Sequence, residues 1–486
     1  MKVERFKTAL NEKWGPWIPA MSFVFSSVTN MALFYLGFAF SENLVRSSMF
    51  IICNVLFFLS CMAFLVFTVR QHGLSKRAIF LLAAVLAFFV AGYGIALLRY
   101  GFGTAYYWTF LQQFAVFGVA SFSAGICTAS NHQEASIFKK LDSISWFFLP
   151  AALMYVNGSL TECLPVEWNY QTSLGIFSYA TLAYLFFPFI LSHLLGFVNH
   201  TPLSVPFSTK QIKHPLFVRG ALTLIFWTAV IASGTRGVIL SVCVGCVAIF
   251  IVQLFQHSFR RTSIFPLVLV VIVGFNLFVA APKGFHRLAT FDVFLNGLSE
   301  GEIVTSDGTE EVLDSYLNSV TPGGNTEPGG TTEPGGTTEP GGTTEQDGGR
   351  TEMAVDFLVA SDEPLPAEYD IGDRGTILML TWKEFLKNPI IGMGPFGYEM
   401  KYHQYPHSVV FELLCETGLV GTIFLLALIV YALVRVLQYS KKHKKVADLL
   451  IFLLVYAVLA NINDSLWACS PLMFALGYGL SVSTEE

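Results

Sequence analysis

The sequence predicts an all-α polytopic membrane protein of about twelve transmembrane helices, interrupted by one long extracytoplasmic loop. Composition is the first observation behind this: 53% of the 486 residues are hydrophobic and 13% charged, and mean hydropathy is +0.58. A soluble domain normally carries about a quarter charged residues. Patterning is the second, because apolar stretches recur at close to the roughly 20 residues that cross the hydrocarbon core. The third is a single polar segment, 283–406, dividing two groups of these stretches. Together they exclude an ordinary soluble enzyme. The net charge of −5 is shared between two aqueous phases, and no nucleic-acid partner is expected.

Residues 1–282 hold nine of the stretches, at 17–40, 48–69, 79–98, 105–128, 143–157, 173–196, 216–233, 236–255 and 264–282. Residues 407–486 hold three more, at 408–435, 447–463 and 466–482. The first stretch is too long for a signal peptide and lacks a small-residue cleavage site, so no cleaved leader is expected. Lys and Arg set the orientation, because positively charged loops stay in the cytoplasm. Alternating from a cytoplasmic N-terminus puts Arg70, Lys76, Arg77, Lys139, Lys140, Lys210, Lys213, Arg260, Arg261, Lys441 and Lys442 inside, and with them most of the 29 basic residues. Both termini are then cytoplasmic, and 283–406 lies outside. Eight cysteines show no disulfide framework. Cys243 and Cys246 have CxxC spacing but sit mid-span without His or acidic company, which points to packing and away from a metal.

The first six stretches are aromatic-rich, carry almost no buried charge and read as scaffold, with Gln112 and Gln113 explained by interhelical hydrogen bonds. The seventh and eighth meet at Ala232-Ser-Gly-Thr-Arg-Gly237, a turn too short to leave the membrane surface. Arg236 is thereby held at the outer edge of the bilayer. An ionisable group at that depth either faces a cavity or partner, or snorkels to the headgroups.

The outer loop has three parts. Residues 283–321 form a mixed polar stretch. From 322 to 349, Thr-Glu-Pro-Gly-Gly-Thr recurs at 326–331, 332–337 and 338–343, a composition that cannot build a core and predicts a disordered tether. Beyond it, Leu378, Trp382 and Phe385 recur at helical spacing with Lys383, Glu384 and Lys387 on the other side. This predicts an amphipathic helix near 374–388 on the outer leaflet, capped by Asp373, ended by Asn388-Pro389 and carrying Arg374 in its first turn. Gly392-Met-Gly-Pro-Phe-Gly397 matches GxGxxG, but no strand precedes it and no helix is expected to open at its third glycine, so dinucleotide binding is rejected. A pliable Gly-Pro loop bearing Tyr398, Tyr402 and Tyr405, with aromatic faces for a sugar, fits better.

The tenth stretch begins at Tyr405-Pro406-His407-Ser408. Pro406 suits a first helical turn, where its missing N–H needs no partner. Unpaired N–H groups at a helix start favour an anion and disfavour a protonated imidazole. His407 is then either a neutral base beside a bound phosphate or an interfacial residue capping the helix. Glu412 and Glu416, spaced i and i+4, share one face at shallow depth. They pair with an arginine, orient the site or line a polar helix contact.

These residues carry a resemblance. His407-Ser408, nine residues, Gly418, two residues and Gly421 reproduce H-[NSQ]-x9-G-x-x-[GTY], the motif of the O-antigen ligase and O-antigen polymerase family. Ser233-Gly-Thr-Arg236-Gly237 resembles that family's Ser-x-Ser-Arg-Gly turn, with threonine in the third position. The order Arg374, Asn388-Pro-Ile-Ile-Gly392-Met-Gly394, His407 resembles its outer-loop segment. Coverage is about 216–282 and 370–435, and the Thr-Glu-Pro-Gly-Gly insertion is a departure. The resemblance implies a GT-C-like architecture and a metal-independent glycosyltransferase without cofactor in the bacterial cytoplasmic (inner) membrane. Its donor would be a glycan on undecaprenyl pyrophosphate, its acceptor a glycan or lipid-linked molecule, and its surroundings membrane lipids. Arg236 and Arg374 would bind the pyrophosphate and His407 would take the acceptor's proton, with Glu412, Glu416 and Tyr405 in support. Bidentate guanidinium groups suit pyrophosphate, and a neutral histidine suits base catalysis near pH 7.

Polymerase and ligase share this motif, and a protein O-oligosaccharyltransferase shares the same core. From another class, the alternative is a polysaccharide transporter or flippase. That would be expected to carry internal repeats and ionisable groups near the midplane, whereas Arg236, Arg374 and His407 cluster at the outer edge.

Overall fold

The computed structural model describes residues 15, 17–24, 43–71, 73–74, 76–100, 114–161, 179–203, 212, 214–232, 236–255, 260–280, 374–402, 406, 408–460, 465 and 469–482. Every regular element among them is helical. Residues 17–24 are followed by α1 (Asn43–Gln71), α2 (Lys76–Tyr100) and a π-helical turn (Phe114–Val119) running directly into α3 (Ala120–Asn131). Then come α4 (Glu134–Thr161), α5 (Tyr179–Val198), α6 (Pro215–Ala232), α7 (Arg236–Phe255) and, after a 3-10 turn (Arg261–Ile264), α8 (Phe265–Ala280). The C-terminal part contributes α9 (Arg374–Lys387), α10 (Gly397–Tyr402), α11 (Val409–Ser440), α12 (Lys444–Ala460) and α13 (Ser470–Ser481). The mixed stretch 283–321 and the repeat 322–349 lie outside the described residues. The chain divides into two compact units, Met1–Gly274 with Arg350–Glu486, and Phe275–Gly349. Apart from the end of α8, these helices all belong to the first unit.

Helix is the outcome because an apolar chain in hydrocarbon has no water to satisfy its backbone, and a helix satisfies it within the segment. Helical residues fall within each of the apolar stretches. Four described segments are long and apolar enough to cross a membrane: Ile52–Gln71, Phe114–Asn131, Gly237–Phe255 and Val409–Ser440. Large apolar side chains point outward, with Leu98 90% exposed, Phe255 82% and Phe217 79%. In water such a surface would aggregate; in lipid it is the solvated face.

Close contacts between helices come from small residues. A Cβ on Gly125 of α3 would sit 2.2 Å from the Phe474 carbonyl oxygen of α13, and one on Gly477 would sit 2.1 Å from the Phe122 oxygen. Backbone therefore meets backbone at this crossing, as van der Waals packing in membranes favours.

Buried charge lies beside the first six stretches, at Asp142 just before the fifth, and within the seventh, at Arg219. Arg219 of α6 and Asp142 of α4 are both buried, with Nη2 to Oδ2 at 2.8 Å and Nη1 to Oδ1 at 3.2 Å. The same guanidinium donates to the carbonyls of Thr201 at 3.2 Å and Pro202 at 2.8 Å. From α5, Ser192 donates to Asp142 at 2.7 Å, and His193 Nε2 lies 2.9 Å from Ser145 Oγ of α4. The clamp joins α4, α5 and α6. A second polar staple has Glu134 of α4 accepting from Tyr478 of α13 at 2.7 Å and from Tyr439 of α11 at 3.5 Å.

Candidate active site

Helix α11 follows Ser408, whose backbone is extended, and continues to Ser440, but not as one regular helix. At Gly418 the backbone turns to φ +62°, ψ −169°. That break frees carbonyls before the glycine and amides after it, and buried backbone groups need partners. The segment between α9 and α10 supplies them. Met393 N–H donates to Cys415 O at 2.9 Å and Gly394 N–H to Glu416 O at 2.7 Å. In return, Leu419 N–H donates to Pro389 O at 2.8 Å and Val420 N–H to Ile390 O at 3.1 Å.

Only glycine fits where the two backbones meet. Gly392 has φ +68°, and a Cβ on it would lie 2.3 Å from the Glu416 carbonyl carbon. A Cβ on Gly418 would lie 2.4 Å from the Ile390 oxygen. The Gly-Pro loop is accordingly not pliable: residues 392–399 are all buried and latched to the break in α11.

The side chain of Glu416 completes the latch. Its Oε2 accepts from Phe396 N–H at 2.9 Å and its Oε1 from Tyr398 N–H at 3.4 Å. Phe396 has φ +58°, a left-handed conformation costing a non-glycine residue roughly 1–2 kcal/mol. Glu412, one turn earlier and fully buried, accepts from Ser465 Oγ at 2.6 Å.

The expected sugar-stacking face is corrected for Tyr398 and Tyr402. Both rings are buried and pack against each other with centroids 4.6 Å apart. The Tyr402 hydroxyl donates to Glu384 Oε1 at 2.8 Å, and that oxygen also takes Lys401 at 2.8 Å and Lys387 at 2.7 Å. Burial alone would raise the Glu384 pKa; the hydrogen bonds from Lys387, Lys401 and Tyr402, with the charge of Lys401, outweigh it and hold the carboxyl below its usual range. Glu384, expected on the polar side of α9, is thus buried, while Trp382 is 43% exposed. A further correction concerns Gly397, where a six-residue helix does open. The element before the loop is α9, not a strand, so dinucleotide binding stays rejected.

Of the residues expected to carry chemistry, Arg236 is the first of α7 and Arg374 the first of α9, their side chains lying outside the described residues. His407 and Tyr405 also lie outside them, flanking the buried Pro406. Helix α9 packs along α11, so Arg374 opens a helix that runs beside the one His407 precedes. Sequence reasoning missed Glu399 and the buried role of Glu384. The spacing of Glu384 and Lys387 was a signal for the second, and nothing local marked the first. Among the described residues, no group of three or more His, Cys, Asp or Glu is arranged to hold a metal ion.

No curated protein matches the chain. Residues 221–426 match the family model for O-antigen ligase. That span includes Arg236, Arg374, His407 and the whole latch between 389–394 and 415–420. With its long apolar helices, the chain is an integral membrane protein whose residues 221–426 are similar to the O-antigen ligase family of polysaccharide biosynthesis.

Proposed function

We propose that the protein transfers or polymerises a glycan carried on undecaprenyl pyrophosphate at the outer face of the bacterial cytoplasmic membrane, without a metal. Arg236 and Arg374 hold the pyrophosphate and offset the charge that develops on it as it leaves. His407 takes the proton of the acceptor hydroxyl while that oxygen forms the new glycosidic bond. The carrying observation is the latch at Gly418: the glycine of the motif that starts at His407 is where outer-loop backbone is bonded to α11. It supports the reading because a base must be held within hydrogen-bond reach of the proton it removes. His407 lies between two elements, α10 and α11, that this latch ties together.

The test uses purified protein in lipid with a lipid-linked glycan donor. His407→Ala should lower transfer by about 10²–10⁴-fold, the usual contribution of a general base, while donor binding persists. Arg236→Ala and Arg374→Ala should weaken donor binding with the fold intact. Unchanged transfer in His407→Ala would rule out the proton-acceptor role.

A further inference from the structure

Two buried carboxyl groups under the Gly394–Tyr398 turn take no part in the proposed reaction. Glu416 of α11 holds the turn through the amides of Phe396 and Tyr398. Glu399, in α10, follows directly and is 1% exposed. No side-chain donor among the described residues reaches either of its oxygens. Glu399 directly follows Tyr398, whose amide Glu416 holds at 3.4 Å, so the two buried carboxyl groups meet at the same turn. Two carboxylates repel at such a contact, whereas a carboxyl and a carboxylate bond through one proton.

The surroundings favour keeping that proton. Burial first, then the charge of Glu416 and the hydrogen bond with it, and the charge of Glu412, outweigh the opposing bond from its own backbone and raise the Glu399 pKa well above the usual carboxylic range. The packed elements bring little to oppose this. Helix α11 contributes Glu412, Cys415 and Glu416; α9 contributes Glu384; α2, which contacts α10, contributes Tyr93. The cation of α10, Lys401, is bonded to Glu384 instead.

We propose that Glu399 and Glu416 share one proton and that this pair, through Phe396 and Tyr398, is the positioning device for the segment leading to His407. Glu416 is thus a positioning residue that touches neither donor nor acceptor. The functional consequence rests on the transfer reading; the pair itself does not. If the proton leaves, two negative charges face each other without a cation among the described side chains, the turn loosens and the strained Phe396 backbone is released. A raised pKa in the folded state means the contribution is complete below the ordinary value of about 4.3 and fades as pH rises through the folded value.

Thermal unfolding and glycan transfer are to be followed against pH for the full chain, Glu399→Gln and Glu416→Gln. Glu399→Gln keeps a neutral donor facing Glu416, so it should melt like the parent at pH 5 and above it at pH 9. It should also retain transfer at high pH, where the parent falls by up to about tenfold per pH unit beyond its limit. Glu416→Gln should lower kcat at every pH with the donor KM little changed, the pattern of a disturbed site and not of lost donor binding. A melting curve for Glu399→Gln that parallels the parent's pH dependence, or lies below it throughout, overturns the proposal. A pH-dependent melting difference in a protein that transfers nothing would sustain the pair and sink the transferase reading.

Discussion

Gly418 concentrates the demands of the site in one residue. An alanine there meets φ +62°, ψ −169°, a conformation essentially confined to glycine and costing roughly 1–3 kcal/mol, and a Cβ 2.4 Å from the Ile390 oxygen, which backbone cannot yield without breaking the latch. Gly418→Ala should therefore lower the melting temperature and abolish most transfer, while Leu419→Ala, at a side chain 46% exposed, should do neither. Glu384 gives a second residue-scale prediction, with the opposite sign to Glu399. Its depressed pKa means its stabilisation is present above the ordinary carboxylate value and is lost as pH falls through the folded value. Glu384→Gln should abolish that acid-side loss in a pH series of melting temperatures. The exposed Lys387 contributes little to it, because a solvated ammonium is screened. The motif made Gly418 legible in the sequence. Its reason was not, since Gly392 and Gly418 meet through backbone and no local pattern records that meeting.

Among the elements, α9 shows where helical reading succeeds and where it stops. Its bounds follow from local chemistry, with Asn388-Pro389 ending it as expected. Its buried face does not, because tertiary packing buries Ile377, Leu380, Thr381 and Glu384 and leaves Trp382 43% exposed with its ring against Phe411 of α11. A hydrophobicity pattern assigns a carboxylate to water; Glu384 is buried because it is buried with its own donors. The clamp between α4, α5 and α6 was illegible for the same reason. Arg219 reads as one of many interfacial cations until Asp142, on a helix far away in sequence, is brought to 2.8 Å. Removing one partner of a buried pair commonly costs about 3–5 kcal/mol, while replacing both by apolar residues costs far less. Asp142→Ala should thus destabilise the protein severely, and Asp142→Leu with Arg219→Leu should be milder than either single change. Additive losses in thermal unfolding would show that the two side chains are not coupled.

For the whole molecule, composition pointed to a membrane protein, because 53% hydrophobic residues leave too few polar groups to clothe a soluble surface, and the recurring apolar stretches of about 20 residues pointed to helices. Helix positions were legible nearly to the residue for α7, expected at 236–255 and found at Arg236–Phe255, and less closely for α11, expected at 408–435 and found at Val409–Ser440. What joins distant helices was not, because it depends on single polar contacts. The proposed transfer site makes the same demand at the largest scale, since Arg236, Arg374 and His407 come from three separate parts of the chain. The most direct test is to replace these three in pairs by cysteine in a background without the eight native thiols, and to expose the membranes to a short thiol cross-linker. All three pairs should link, and lipid-linked pyrophosphate should block the linking. Pairs that never link, in protein whose melting shows an intact fold, would contradict a shared site for the two guanidinium groups and the imidazole.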